Sequence, residues 1–197
     1  MENGISKPLA SEITNSAVSQ GLRAAGTVFA GSALVALASH VTLPLGFTPV
    51  PLTLQPFAVL LLGLLLSPQL AAATLATYLL EGAAGLPVFA PGFAFGAGIP
   101  HLLGPTGGYL LSYPFAAALV AWMWRRSTRG FPAALASAAA GNAVILLCGF
   151  AWLSAWTHSS PRTAFALAVL PFLPGDALKV AAAAAIARGL ERVRRRQ

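Results

Sequence analysis

The sequence predicts an all-α integral membrane protein with six transmembrane helices. Of its 197 residues, 57% are hydrophobic and only 9% are charged, and the mean hydropathy is +0.75. The stretches 24–80 and 82–124 contain no Asp, Glu, Lys or Arg. A soluble domain carries about 25% charged residues, whereas a spanning helix needs about 20 mostly apolar ones. These observations predict one domain embedded in a bilayer.

Turn-forming residues divide the apolar sequence into its elements. The predicted spans are residues 22–40, 52–66, 69–85, 109–124, 131–156 and 174–191. The first span ends at the stretch VTLPLGFTPVPLT, the second ends at Ser67-Pro68, and the third begins directly after it. A long Pro-, Gly- and Phe-rich stretch precedes the fourth, Arg125 separates the fourth from the fifth, and Pro174-Gly175 starts the sixth. Proline and glycine punctuate helices, which explains these boundaries.

The arginines predict the orientation of the bundle. The net charge is +7, and most basic residues cluster at one set of helix ends. That side carries Lys7, Arg23, the cluster at 125–129 and the C-terminal arginines, whereas the other side carries Arg162. Cytoplasmic loops carry the excess of Lys and Arg, so both termini are predicted to be cytoplasmic. Charges confined to helix ends do not indicate a nucleic-acid interface.

The orientation divides the chain into three predicted parts. Residues 1–21 are polar and contain no apolar core, which indicates a flexible cytoplasmic tail rather than a signal peptide. Residues 22–191 form the six-helix transmembrane domain, and residues 192–197 form a basic cytoplasmic tail.

Asp176 and Lys179 are the most informative polar residues. They follow Pro174-Gly175 at the start of the last span, where a negative charge in the first turn meets the positive end of the helix dipole. Residues three apart lie on the same helical face, so the two side chains can pair. Ionisable residues inside a span cost roughly 2.5–3.5 kcal/mol each on insertion scales. The pair therefore predicts a functional site rather than a purely structural contact.

Three further polar residues have two interpretations each. Glu81, near the outer end of the third span, contacts either a ligand or a structural partner such as Lys179. Asn142 in the fifth span either joins two helices or contacts a ligand. Gln55, at the start of the second span, is similarly placed on the outer side.

Metal binding and catalysis are not indicated. His40, His101 and His158 have no local spacing typical of metal ligands. The sequence contains no nucleophile paired with a base and no phosphate-binding loop. Cys148, the only cysteine, excludes an internal disulfide. We therefore expect no metal, no cofactor and no ATP hydrolysis by the chain itself.

Several stretches resemble the BioY family, the biotin-specific substrate-binding (S) components of energy-coupling-factor (ECF) transporters. The similar stretches are TPVPLTLQPFAVLLLGLLLSP, YLLEGAAGLPVFA, LLGPTGGYLLSYPFAAALV and PFLPGDALKV. They cover roughly residues 22–190 in the order typical of the family. The resemblance implies the S-component architecture, a prokaryotic cytoplasmic membrane, and high-affinity capture of biotin at the outer face for uptake. It also implies a transmembrane coupling subunit and two ABC-type ATPase subunits as partners.

The resemblance also implies a set of binding residues. The element Gly-Asp-x-x-Lys corresponds to Gly175, Asp176 and Lys179, whose polar groups contact biotin in the family. The turn GPTGGY corresponds to residues 104–109 and lines the pocket. The complete candidate site is Gln55, Tyr78, Glu81, Phe89, Gly107, Gly108, Tyr109, Asn142, Gly175, Asp176 and Lys179.

The sequence departs from the family in three places. Leu110 stands where some members carry an arginine, and Phe93 and Phe95 interrupt a loop that is usually glycine-rich. Glu81 stands where many members have an apolar residue, and its charge can compensate for the missing polarity. Which polar residue meets the ureido ring and which meets the carboxylate is left open by the sequence.

Two other functions are compatible with these residues. One is an S-component for another vitamin, and the other is a membrane-embedded enzyme that uses Asp176 and Lys179 as acid and base. The spacing of Gly26 and Ala30 favours close approach of another helix, from the same bundle or from a second copy. Membrane lipid is an expected partner and nucleic acid is not.

Overall fold

The computed structural model describes residues 6–91 and 97–194, with side chains from residue 18 onward. The helices are α1 (Ser6–His40), α2 (Gln55–Leu65), α3 (Pro68–Ala83), α4 (Ile99–Leu102), α5 (Gly107–Arg125), α6 (Phe131–Thr157), α7 (Pro161–Ala168) and α8 (Leu173–Arg194). Two short antiparallel strands, β1 (Thr42–Leu43) and β2 (Leu52–Thr53), pair Thr42 with Thr53. Residues 1–5, Phe93, Phe95 and residues 195–197, all covered by sequence predictions, lie outside the described residues.

Six long helices occupy the six predicted spans, with shifted ends. α1 begins at Ser6 rather than at residue 22, so the polar residues before the apolar segment extend the helix. α2 begins three residues later than predicted because Leu52 and Thr53 pair in the hairpin. α8 begins at Leu173, with Pro174 in its first turn, where proline has no N–H to lose.

Not every long helix has the length and composition of a full span. Within the described residues, Val18–His40 and Phe131–Thr157 are long and apolar enough to cross a membrane. The pair Pro161–Ala168 and Leu173–Arg194, bent by 50°, adds a third candidate when it is counted as one span. α2 has 11 residues, so at 1.5 Å per residue it covers about 16 Å of a hydrocarbon core of about 30 Å. Six complete spans remain a prediction.

Glycines and small residues allow the central helices to approach closely. A Cβ at Gly63 of α2 would lie 2.8 Å from the Val120 Cβ of α5, and one at Gly141 of α6 would lie 2.3 Å from the Val120 Cγ2. Real Cβ contacts are essentially never shorter than 3.0 Å, so these positions need glycine. α2, α5 and α6 thus meet around Val120.

The ends of the elements use caps that the sequence encodes. Ser67 accepts a hydrogen bond from the Leu70 N–H at the start of α3, and Ser160 accepts one from the Thr163 N–H at the start of α7. Each serine is followed by a proline in the first helical turn. α4 lies in the connection between α3 and α5, and α7 lies in the connection between α6 and α8, where the sequence predicted no helix.

Candidate ligand-binding site

A cavity of about 560 Å³, counting the space at its mouth, lies among the first turns of α2, α5 and α8. Its polar lining is Thr53, Gln55, His101, Thr106, Tyr109, Tyr113, Asp176 and Lys179. Its apolar lining is Val50, Pro51, Pro56, Ala90, Leu110, Ile145, Leu146 and Phe172. Small-molecule sites are mostly apolar clefts with a few placed polar groups. The cavity combines an apolar lining with such polar groups.

Asp176 and Lys179 form a buried ion pair in the cavity wall. The Lys179 Nζ lies 2.9 Å from the Asp176 Oδ1, and the Lys179 and Asp176 side chains are 10% and 5% exposed, respectively. The Asp176 Oδ2 accepts a second hydrogen bond, at 3.2 Å, from the Asn142 Nδ2 of α6. Paired and hydrogen-bonded charges are the ones that a protein interior tolerates. The first turns of α8 therefore place an anion and a cation side by side.

Asn142 supports this pair from behind. Its side chain is buried and, within the described part of the chain, its Oδ1 has no hydrogen-bond partner. Buried polar atoms are nearly always satisfied by protein or by water. Asn142 does not line the cavity. Its Oδ1 remains available, within the described residues, as a hydrogen-bond acceptor near the Asp176 carboxylate.

Gln55 is held in the cavity wall by three hydroxyl groups. Its Nε2 donates to the Tyr78 Oη at 2.5 Å, and its Oε1 accepts from the Thr53 Oγ1 at 3.2 Å and from the Tyr113 Oη at 3.5 Å. The Tyr78 hydroxyl in turn donates to the Val88 carbonyl at 3.0 Å. These contacts fix the side-chain amide of Gln55, which lines the cavity, whereas Tyr78 lies behind it.

The connection between α3 and α5 packs through Phe89. The Phe89 ring stacks on His101 at a centroid distance of 4.9 Å and meets Tyr78 edge-on at 5.5 Å. His101, carried by α4, is buried and lines the cavity. Phe89 itself does not line the cavity, but its ring contacts both Tyr78 and His101. The ring lies directly over Gly82, where a Cβ would be 2.0 Å from its Cζ.

A second connection, between α1 and α2, lines the cavity on the side of α7. The Thr48 Oγ1 donates to the Leu167 carbonyl at 2.9 Å, and the Tyr109 hydroxyl donates to the Ala168 carbonyl at 2.7 Å. Tyr109 lines the cavity, as do Val50 and Pro51 beyond Thr48. The connections between α1 and α2 and between α6 and α8 are thus tied to each other and to α5 by side-chain hydrogen bonds.

The three candidate glycines lie outside the lining. A Cβ at Gly107 would lie 2.0 Å from the Leu102 carbonyl oxygen, and one at Gly108 would lie 2.2 Å from the Trp152 Cβ. These two glycines let α5 contact α4 and α6. Gly175 is different, because a Cβ at this position would have Leu52 as its closest neighbour at 3.5 Å, an ordinary van der Waals distance.

Glu81 lies between α3 and α1 rather than at the cavity. Its Oε2 accepts a short hydrogen bond from the Ser32 hydroxyl, which is fully buried. The observed partner is therefore Ser32, and Lys179 pairs with Asp176 instead. Within the described residues, no cluster of His, Cys, Asp and Glu could hold a metal ion.

Comparison with known proteins identifies the family. The BioY family model matches residues 11–196, which is nearly the whole chain. The chain belongs to the BioY family. Two relatives support the assignment. The probable biotin transporter BioY of Pyrococcus horikoshii is 40% identical over 159 residues, covering 81% of this chain and 90% of that protein. The biotin transporter BioY of Thermotoga maritima is 36% identical, covering 82% and 92%.

A solved structure shares the BioY fold described above. The crystal structure of the S-component for biotin from an ECF-type ABC transporter superposes with a TM-score of 0.79. The two chains are 25% identical, and the match covers 88% of this chain and 93% of that one. The S-component architecture expected from the sequence is therefore found in the fold.

Several cavity residues of this BioY chain could not be predicted from the sequence. Tyr113 and Phe172 lie in apolar stretches, where nothing in composition separates a cavity wall from a lipid-facing position. From the sequence, His101 is considered only as a metal ligand, whereas in the structure it is 7% exposed and lines the cavity. The signal that was available is its position in PHLLGPTGGY, immediately before the turn that resembles the family pocket.

Proposed function

We propose that this chain binds biotin in the cavity and serves as the substrate-specific subunit of an ECF-type transporter that takes up biotin. The observation that carries the proposal is the buried Asp176–Lys179 pair in the cavity wall. It occurs in a chain whose relatives are named as biotin transporters. Burying two charges in an apolar cavity costs free energy. A ligand with adjacent donor and acceptor atoms would hydrogen-bond to both, which explains why they are there.

Biotin matches this lining group by group. Its ureido ring offers two N–H donors beside one carbonyl acceptor, its thiophane ring is apolar, and its tail ends in a carboxylate. The Lys179 Nζ and the Asp176 Oδ1 are only 2.9 Å apart, so they meet neighbouring atoms of one ligand group. We assign both to the ureido ring, with Asp176 accepting an N–H and Lys179 donating to the carbonyl. The carboxylate then lies toward the hydroxyl- and amide-bearing wall around Gln55.

A ligand series tests this assignment. Biotin and its methyl ester share the ureido and thiophane rings and differ at the tail, where the ester lacks the negative charge and carries an added methyl group. If Lys179 meets the ureido ring, Lys179→Met should weaken the binding of both by the same factor. If Lys179 meets the carboxylate instead, the variant should lose the preference for biotin over the ester that the wild type shows. Matched fold-changes for the two ligands support the assignment, and unmatched ones contradict it.

The finer topology and the partners belong to the same proposal. Six membrane-crossing helices at residues 22–191 would place both termini in the cytoplasm of a prokaryote and the cavity at the outer face. Residues 1–21 and 192–197 are then cytoplasmic tails, the first of them partly helical. A coupling subunit and two ABC-type ATPases supply the energy, since the sequence has no phosphate-binding loop.

A ligand panel separates this function from its rivals. Biotin, thiamine, riboflavin and niacin are each added to purified protein, and the unfolding temperature is measured. Only biotin should raise it, because a ligand stabilises the state that binds it. A rise with a different vitamin would indicate another S-component, and chemical conversion of bound biotin would indicate an enzyme.

A further inference from the structure

A second concave site lies at the opposite end of the helices that form the ligand cavity. It encloses about 1040 Å³, counting the open solvent at its mouth, and is bounded by the last turns of α2, α5 and α8. We call it the basic groove. Its charged lining is Arg125, Arg129, Arg194 and Glu191, and its apolar lining includes Leu65, Trp124, Leu190 and Val193.

The short α2 helps to create the groove. α2 ends at Leu65 after 11 residues, whereas α8 continues to Arg194. The flanking Leu65, Leu190 and Val193 are 40%, 48% and 57% exposed, respectively. Apolar side chains that line a large open groove in a membrane protein are suited to contact with acyl chains.

The charge of the groove is unbalanced and partly fixed in place. Arg129 has a left-handed backbone, with φ of 54°, which a non-glycine residue keeps only when its surroundings hold it. Its Nη1 lies 3.4 Å from the Glu191 Oε1, and its carbonyl accepts a hydrogen bond from the Arg188 Nη1 at 3.3 Å. Arg129 thus balances Glu191, and Arg125 and Arg194 give the groove its net positive charge.

The neighbouring surface has the features of a membrane interface. Arg126 lies over the Trp122 ring, with its Cζ 4.6 Å from the ring centroid. Tryptophan is enriched at the level of lipid headgroups, and basic pockets between helices on the cytoplasmic side bind anionic headgroups. The arginines that predict the cytoplasmic side are the same ones that line the groove.

We propose that the basic groove binds an anionic phospholipid of the cytoplasmic leaflet. The headgroup phosphate lies between Arg125 and Arg194, and an acyl chain covers Leu65, Leu190 and Val193. A phospholipid pairs its phosphate with the arginines and covers the apolar lining with an acyl chain. A free phosphate ion would leave the apolar walls uncovered. The proposal requires insertion into a membrane but does not depend on biotin as the ligand of the outer cavity.

Lipid competition tests the proposal. Delipidated protein is equilibrated with equimolar phosphatidylglycerol and phosphatidylcholine of identical chains, and the bound lipids are counted by native mass spectrometry. One arginine near the surface contributes about fivefold in affinity. The wild type should therefore retain phosphatidylglycerol at least about fivefold over phosphatidylcholine. The double variant Arg125→Gln/Arg194→Gln should lose that preference, while Arg162→Gln, the same change at the other end of the bundle, should keep it.

Three outcomes would overturn the proposal. Equal retention of the two lipids by the wild type would mean that the groove accepts some other partner, such as a protein helix. A preference that persists in the double variant would place the lipid elsewhere. Displacement of phosphatidylglycerol by millimolar inorganic phosphate would show that the groove recognises phosphate alone and not a lipid. Biotin binding, measured in parallel, should be the same in the wild type and both variants, so that failure here is distinct from failure of the outer site.

Discussion

Gly82→Ala should weaken biotin binding through Phe89, without touching the ligand. A Cβ at position 82 would lie 2.0 Å from the Phe89 Cζ and 2.4 Å from both Cε atoms. Ordinary van der Waals contact begins at 3.4 Å, so the ring must shift by about 1.4 Å. Phe89 is 7% exposed and packs on Tyr78 and His101. The shift therefore disturbs the supports of the cavity, and overpacking of this kind costs about 1–3 kcal/mol.

If biotin binding must restore the original packing, that cost appears as at least about fivefold weaker affinity. The assay is isothermal titration of biotin, with the unfolding temperature of the ligand-free protein measured beside it. Gly26→Ala is the matched control, since it makes the same change in a helix with nothing within 4 Å of the new Cβ. The control should bind biotin like the wild type.

A double-variant cycle checks that the effect passes through Phe89. Gly82→Ala should add little to Phe89→Leu, because the smaller side chain relieves the clash and the two changes share one contact. Wild-type affinity in Gly82→Ala, or full additivity in the double variant, would refute the reasoning.

Three further predictions concern the other candidate residues. Asn142→Leu removes a hydrogen bond to the Asp176 carboxylate, worth about 1.5–3 kcal/mol, and should weaken biotin binding about tenfold; an unchanged dissociation constant would exclude a supporting role. Gly108→Ala should lower the unfolding temperature by several degrees, because its Cβ would lie 2.2 Å from a side-chain carbon of α6, whereas Gly175→Ala should leave both stability and affinity near wild type. A large loss of affinity in Gly175→Ala would mean that the ligand contacts this backbone. Glu81→Gln should bind biotin within about twofold of the wild type, and a tenfold loss would place Glu81 at the ligand.

The helices could be predicted from the sequence because charged residues are rare within the spans and Pro-Gly breaks lie at their ends. Uncharged stretches and Pro-Gly breaks predicted six helices at positions that the structure occupies. They did not predict the hairpin that pairs Leu43 with Leu52, nor the short helices α4 and α7. These elements form in Pro- and Gly-rich segments through contacts with the bundle, such as the Thr48 hydrogen bond to Leu167. That hydrogen bond joins residues 119 apart in the sequence, and a contact of this kind leaves no local periodicity.

Only some of the cavity residues could be predicted from the sequence, for a similar physical reason. Asp176, Lys179, Gln55 and Tyr109 line the cavity, and the first two were conspicuous because charge is rare in a span. Glycine is informative only about backbone approach, so a glycine-rich turn cannot by itself distinguish a ligand contact from helix packing. At Gly107 and Gly108 the structure shows helix packing. An apolar wall residue such as Phe172 has no sequence signal at all, since its neighbours are equally apolar.

The most direct measurement is isothermal titration of biotin into the purified, detergent-solubilised protein, beside Lys179→Ala. We expect saturable, tight binding by the wild type. We expect at least about 30-fold weaker binding by the variant, because removing one partner of a buried charge pair costs about 2 kcal/mol or more. Both proteins must be shown to be folded by their unfolding temperatures. No binding by the folded wild type, or equal affinity in the folded variant, would contradict the claim that this cavity holds biotin through Asp176 and Lys179.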